Sequence, residues 1–149
     1  MIKKIAIWFL CLSVLFGQFS MAEEKFLSLK KSKVNVRYGP SFDSKIKYIY
    51  KKINLPIKQI DQKENFRRIV DLKNNSGWIH ISQIKKSNSI IILEDKILYK
   101  KPSNFSKPIA KLEKGRLLIL KKCENIWCNI KTEDYSGWVK TENIWGSIK

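Results

Sequence analysis

The sequence predicts an all-β protein built as two small tandem β-barrels behind an N-terminal signal peptide. Three observations carry that expectation. Short β-branched and aromatic runs alternate with turn signals, and no long helical pattern interrupts them. The second half of the chain repeats the first at a nearly constant offset. The first residues have the layout of an export signal.

The export signal reads "MIKKIAIWFLCLSVLFGQFSMA". Lys3 and Lys4 form a basic head, Ile5 to Gly17 an apolar run, and Ser20 and Ala22 occupy the small-residue positions of a cleavage site. Cleavage is expected after Ala22, removing residues 1–22. The alternative is an uncleaved anchor, but the apolar run falls short of the roughly 20 residues that cross a bilayer. Cys11 follows Phe9 and Leu10, not small residues, so it leaves with the leader and does not mark a lipoprotein. The expected location is the periplasm.

The mature chain would hold 127 residues (149 less 22) and two of the three cysteines, Cys123 and Cys128. Its net charge is +15, two fewer than the +17 of the whole chain, because Lys3 and Lys4 are lost. Such a surface weakly attracts anionic lipid or glycan. The lysines are scattered, and the abundance of Lys, Ile and Asn also fits codon bias in an AT-rich genome. No specific nucleic acid is expected as a partner, because an exported chain rarely meets it.

The strand-like runs follow in order: "KVNVRY", "KIKYIY", "LPIKQI", "FRRIVDL" and "GWIHI", then "SIIIL", "KILYK", "PIAKL", "RLLILKK", "IWCNIK" and "GWVKT". Gly39-Pro40, Asn74-Asn75-Ser76-Gly77, Lys101-Pro102-Ser103-Asn104, Lys114-Gly115 and Ser136-Gly137 separate them as turns. Gly77-Trp78 recurs as Gly137-Trp138, Phe66 matches Trp127, and Pro40 matches Pro102, at offsets of 60 to 62. This defines one unit over residues 26–86 and another over 89–149, joined by "KKSNS". Units of this size bury only about 60% of their unfolded surface and gain from a staple or from packing together. Glycine before tryptophan suggests a turn needing positive φ, and the tryptophans themselves are read as core.

"VNVRYGPSFDSKI" and "LPIKQIDQKENFRRIVDLKNNSGWIHISQI" resemble the bacterial SH3-like (SH3b) domain. The features are Asn35, Arg37 and Gly39-Pro40-Ser41, then Leu55-Pro56-Ile57, Phe66 with Ile69, and Gly77-Trp78-Ile79. The second unit is similar to the degenerate partner repeat of exported tandem proteins in that family. It keeps Leu98, Pro102-Ser103, "CENIWC" and a terminal Ile-Trp-Gly, but Ile97, Tyr99 and Lys101 replace Asn35, Arg37 and Gly39. The resemblance implies two SH3-like barrels and a non-catalytic module that binds cell-wall peptides or an envelope protein. It implies a groove in the first unit lined by Tyr38, Phe42 and Trp78 beside the Pro40 turn, with Arg37 offering a fork to a carboxylate. The competing role for Asn35 and Arg37 is to brace their own loop. An adaptor that docks on an envelope protein without touching the wall is the other reading.

Catalytic and cofactor chemistry find little support in the residues. His80 is the one histidine and Cys123 and Cys128 the two mature cysteines, a poor set for zinc, which takes three or four protein ligands. No cofactor and no enzyme activity are expected. Asp61, Asp71, Glu133 and Asp134 fall near hairpin ends, where solvated turns account for them. Dithiol catalysts favour C-x-x-C at a helix start, whereas Cys123 and Cys128 are separated by four residues between strands. If the turn centres on Asn125-Ile126, the two cysteines face each other across a hairpin, with Cβ atoms about 4.5–5.5 Å apart. A disulfide is expected. The matching residues in the first unit are Gln62 and Arg67, so the fold itself does not demand cysteine there.

Overall fold

A computed structural model describes residues 24–148 and shows two all-β units with the same topology. The expected leader, residues 1–22 with Cys11, lies outside the described residues. The first unit runs β1 (Lys25–Leu29), β2 (Val34–Arg37), β3 (Ile46–Tyr50), β4 (Pro56–Lys63), β5 (Phe66–Val70), β6 (Ser76–His80) and β7 (Ile84–Lys86), with a 3₁₀ turn over Ile81–Gln83. The second runs β8 (Ser89–Ile92), β9 (Lys96–Tyr99), β10 (Pro108–Leu112), β11 (Leu117–Glu124), β12 (Trp127–Lys131), β13 (Ser136–Lys140) and β14 (Ile144–Gly146). The sheet orders, β3-β2-β6-β5-β4-β1-β7 and β10-β9-β13-β12-β11-β8-β14, coincide when each strand is shifted by seven. The internal repeat in sequence is therefore a repeat of the whole barrel.

β1, β7 and β14 carry no strong run of their own in the sequence. β7 and β14 have three residues each, and both are held by pairing with a long-range partner, β1 or β8. Ile81, read as strand, instead enters the 3₁₀ turn. His80 caps that turn by accepting the Ser82 N–H at Nδ1.

The cores are small and aliphatic. Leu29, Val34, Val36, Ile57, Ile69 and Ile79 fill the first, and Ile90, Ile92, Leu98, Leu112, Leu118, Ile130 and Val139 the second. Both cores and the apolar residues packed on them lie within residues 27–148. The tryptophans of the Gly-Trp pairs are not in them, which corrects the expectation from sequence. Strand alternation decides this: Gly77 and Ile79 face inward on β6, so Trp78 and His80 face out and are half-buried. Trp138 sits likewise between buried Gly137 and Val139.

The glycines also have a different role from the one expected. Among the described residues, the glycines with positive φ are Gly115 and Gly146. Gly77 is ordinary strand backbone, but a Cβ there would stand 2.4 Å from Val36 Cγ1 and 3.0 Å from the Arg37 carbonyl oxygen. At Gly137 it would stand 2.6 Å from the Tyr99 carbonyl oxygen. β2 and β9 thus cross β6 and β13 too closely for any side chain.

The β4–β5 and β11–β12 hairpins turn through two residues each, Glu64-Asn65 and Asn125-Ile126. The first residue of each takes positive φ, 50° and 53°, one of the geometries that match strand twist in a two-residue hairpin. Cys123 and Cys128 are direct register partners beside the turn and form a disulfide, with Cα atoms 4.0 Å apart. Gln62 and Arg67 are the register partners in the first unit. There Arg67 Nη1 donates to the carbonyls of Glu64 and Phe66, at 2.9 and 3.0 Å. One hairpin is closed by a guanidinium and the other by a covalent bond.

The segment "KKSNS" is not a free hinge. Ser87 and Ser89 are buried. Ser28 Oγ of β1 lies 2.7 Å from Ser89 Oγ, and Ser89 Oγ in turn donates to the Asn54 carbonyl. Asn88 accepts the Leu120 N–H through its carbonyl. Beside this serine chain, Trp145 Nε1 donates to the Pro56 carbonyl at 3.0 Å, and the Trp145 ring meets Phe26 edge to face at 5.2 Å. β8 is buried on both sides: Ile90 and Ile92 face their own core, while Ser89 and Ile91 face the other way.

Two outcomes follow from this packing. Gly77→Ala should lower stability by about 1–3 kcal/mol, since the crossing backbone cannot step aside; thermal unfolding equal to that of the parent protein would refute the close-crossing role. Reducing Cys123–Cys128 should cost about 2 kcal/mol from loop-closure entropy, read as a lower urea midpoint in the presence of reductant. Two alkylatable thiols in the unreduced exported protein would contradict the bridge itself.

Candidate functional site

The outer face of β2, β6 and β5 in the first unit gathers most of the side chains singled out in the sequence. The close crossing at Gly77 brings β2 against β6 with Arg37 directly opposite Trp78. On the other side of β6, Trp78 is the register partner of Arg68. Because antiparallel partners point to the same face, one indole lies between two arginines. Tyr38, Lys47, Ser76 and Gly77 complete a shallow depression of about 300 Å³ with these three residues. Lys47 sits 5.6 Å from the centre of the Tyr38 ring and donates to the Ser76 carbonyl.

Next to this depression stands an aromatic cluster. Phe42 lies 5.2 Å from Phe66 and 4.8 Å from His80, ring centre to ring centre. The Arg37 guanidinium covers the near side of Phe42 at 5.6 Å. Phe42 therefore adjoins the depression through Arg37 and does not line it, and Pro40 stays outside it on the loop. Of the five residues expected to form one groove, Arg37, Tyr38 and Trp78 share it. Arg68 was missed in the sequence; its signal is the hairpin register that sets it across from Trp78, which composition does not reveal.

Arg37 has a structural task as well. Its Nη1 donates to the carbonyls of Phe42 and Ser44, at 2.9 and 2.8 Å, and so holds the 38–45 loop. A guanidinium has five N–H donors, and these two bonds use the pair on Nη1. The loop-bracing role and a ligand-facing role are thus compatible for one side chain. Asn35 is held differently: its backbone N–H donates to Gln83 Oε1.

The titratable groups nearby are structural. Burial is the main force that pushes the Tyr48 and Tyr50 phenols above the usual tyrosine range. Tyr50 also donates to Asp71 Oδ2, a carboxylate that disfavours a phenolate beside it. Asp71 Oδ1 accepts the N–H groups of Lys73 and Asn75 and so shapes the turn before β6. In the second unit, Glu94 is held below the usual carboxylate range by hydrogen bonds from Lys96 and Asn143. A backbone N–H from Lys114 and the Lys111 ammonium do the same for Asp95.

The corresponding row in the second unit is Tyr99–Trp138–Asn129. Both cations are gone. Tyr99 packs edge to face on Trp127, and the Lys140 ammonium stands over the Trp127 ring. The loop before β10 nevertheless repeats the fold of the 38–45 loop. Lys100 N–H bonds the Lys107 carbonyl as Tyr38 N–H bonds that of Lys45. Ile97, Tyr99 and Lys101 in place of Asn35, Arg37 and Gly39 therefore change the chemistry of the face and not the path of the chain.

Arg37→Ala should destabilise the first unit by roughly 2 kcal/mol through two lost bonds to a charged donor. Exposed Arg68→Ala should leave the unfolding midpoint unchanged. Equal midpoints for the two variants in chemical denaturation would remove the bracing role of Arg37.

The model of the bacterial SH3 domain matches the chain twice, over residues 30–86 and 95–146. No curated protein matches significantly. Among solved structures the chain is similar to NlpC2 from Trichomonas vaginalis, with 11% identity over 83% of this chain and 48% of that one, at a TM-score of 0.38. It is similar in the same way to NlpC1 from Trichomonas vaginalis, with 10% identity over 86% of this chain and 48% of that one, at a TM-score of 0.38. The chain thus spans about half the length of these solved structures. The two matched segments cover well over half of its own length, and the protein belongs to the bacterial SH3 domain family, with two copies of that domain in tandem.

Proposed function

We propose that the protein is a non-catalytic, exported binding module of the cell envelope, and that its first unit recognises stem peptides of peptidoglycan or a similar extended, carboxylate-bearing peptide. The observation that carries this reading is the row Arg37–Trp78–Arg68. An indole offers a flat apolar floor, and guanidinium groups on both sides suit planar carboxylates, which they bind with charge-assisted, often bidentate hydrogen bonds. Tyr38 and Lys47 extend the floor and the positive charge at one end. The neutral row in the second unit supports confining this recognition to the first unit. The expected leader and the disulfide support a periplasmic location.

Retention of residues 23–149 on purified sacculi tests the proposal. These residues contain both cores. Binding at physiological salt is expected, and Arg68→Ala should weaken it roughly tenfold, the scale of one hydrogen bond to a charged group. Asn129→Ala, at the matching place in the second unit, should have no effect. Absence of retention would sink the proposal; retention insensitive to Arg68 would move the site elsewhere.

A further inference from the structure

The second unit presents one feature that the peptide site does not use. Phe105 is fully exposed, at 100% of its reference area, on the loop between β9 and β10. It is not on a loose end. Its N–H bonds Ser103 Oγ, the Ser106 N–H bonds the Ser103 carbonyl, and the Lys101 N–H bonds Ser106 Oγ. The loop is a built turn that holds a phenyl ring out into solvent.

The turn does not need that ring. In the first unit the same turn forms around Ser41, with the Asp43 N–H on Ser41 Oγ and the Ser44 N–H on the Ser41 carbonyl. Asp43 occupies the place of Phe105. A fully exposed phenylalanine adds nothing to folding here, since none of its surface leaves water.

Its surroundings indicate what would cover it. Lys100, Lys101 and Lys107 stand on the two legs of the loop and are exposed. No acidic residue occurs between Lys96 and Leu112. The ion pairs among the described residues engage Lys58, Lys96, Lys111 and Lys122, and none of these three. The protruding ring has three exposed lysines on the legs of its own loop and is not among the residues lining the depression beside it, which Glu94, Asp95, Asn104 and Glu142 border. It suits a fluid, negatively charged surface, which yields to the ring while its headgroups meet the lysines.

We infer that the 100–107 loop of the second unit docks on anionic lipid headgroups, with Phe105 entering the interfacial region. This inference does not depend on the peptide site in the first unit. It would leave that unit available to a ligand while the second holds the protein at a membrane surface.

Flotation of residues 23–149 with vesicles tests it, since residues 1–22 would bind lipid on their own account. Binding is expected to vesicles of equimolar phosphatidylcholine and phosphatidylglycerol, weakened by added salt, and not to phosphatidylcholine alone. Phe105→Ser should lower the partition coefficient roughly tenfold, and Lys101→Gln about fivefold. Unfolding midpoints should not move, because both residues are exposed. Wild-type failure to float with the mixed vesicles would overturn the inference. So would Phe105→Ser binding as well as wild type, which would mean diffuse charge attraction only. Concentration-dependent self-association that Phe105→Ser abolishes, without vesicle binding, would assign the ring to contact between copies.

Discussion

The close crossing of β2 over β6, repeated by β9 over β13, is the constraint on which both barrels rest. At Gly77 and Gly137 the neighbouring backbone and side chains leave no room for a Cβ. A sheet that must curl back on itself needs such a place, where two strands meet nearly in contact. The same crossing sets the geometry of the candidate site. It brings Arg37 opposite Trp78, and hairpin register then adds Arg68 on the far side. A larger residue at Gly77 would part the strands and separate the cations from the indole. Closure of the barrel also assembles the Arg37–Trp78–Arg68 row.

The two units show what this fold holds fixed and what it leaves open. Both keep the positive-φ residue at the hairpin tip, and both carry an irregularity one turn back, between Gln59 and Asp61 and between Leu120 and Lys122. Both keep the serine-based turn before the third strand. These are backbone devices, and backbone geometry sets them. The hairpin closure is satisfied once by Arg67 and once by a disulfide. The outer face changes most, from Arg–Trp–Arg to Tyr–Trp–Asn, because no core residue depends on it.

The seam between the units joins polar and apolar contacts. A buried serine hydroxyl costs free energy unless it is hydrogen-bonded. Ser28, Ser89 and the Asn54 carbonyl meet that requirement in one relay across the seam. Trp145 contributes apolar area against Phe26 and still satisfies its own N–H at Pro56. Units that would be marginal alone thereby gain packing across the seam, where β8 is buried on both sides.

By itself the sequence determined the fold class, the repeat and the paired cysteines. These rest on local signals: β-branched runs, turn residues and an offset that holds over the whole chain. Hairpin register was legible too, because a two-residue turn at Asn125-Ile126 leaves Cys123 and Cys128 one choice of partner. The tertiary structure decided what depends on contacts distant in sequence. Trp78 and Trp138 face outward because their alternating neighbours claim the core. Gly77 is required by Val36 and Arg37, some forty residues away. Arg68 joins the site only when three strands lie side by side. Ser87 and Ser89 of "KKSNS" are buried, and Ser28 and Asn54 of the first unit meet Ser89 there. A linear pattern records which face of a strand is apolar; only the packed chain determines what lies across from it.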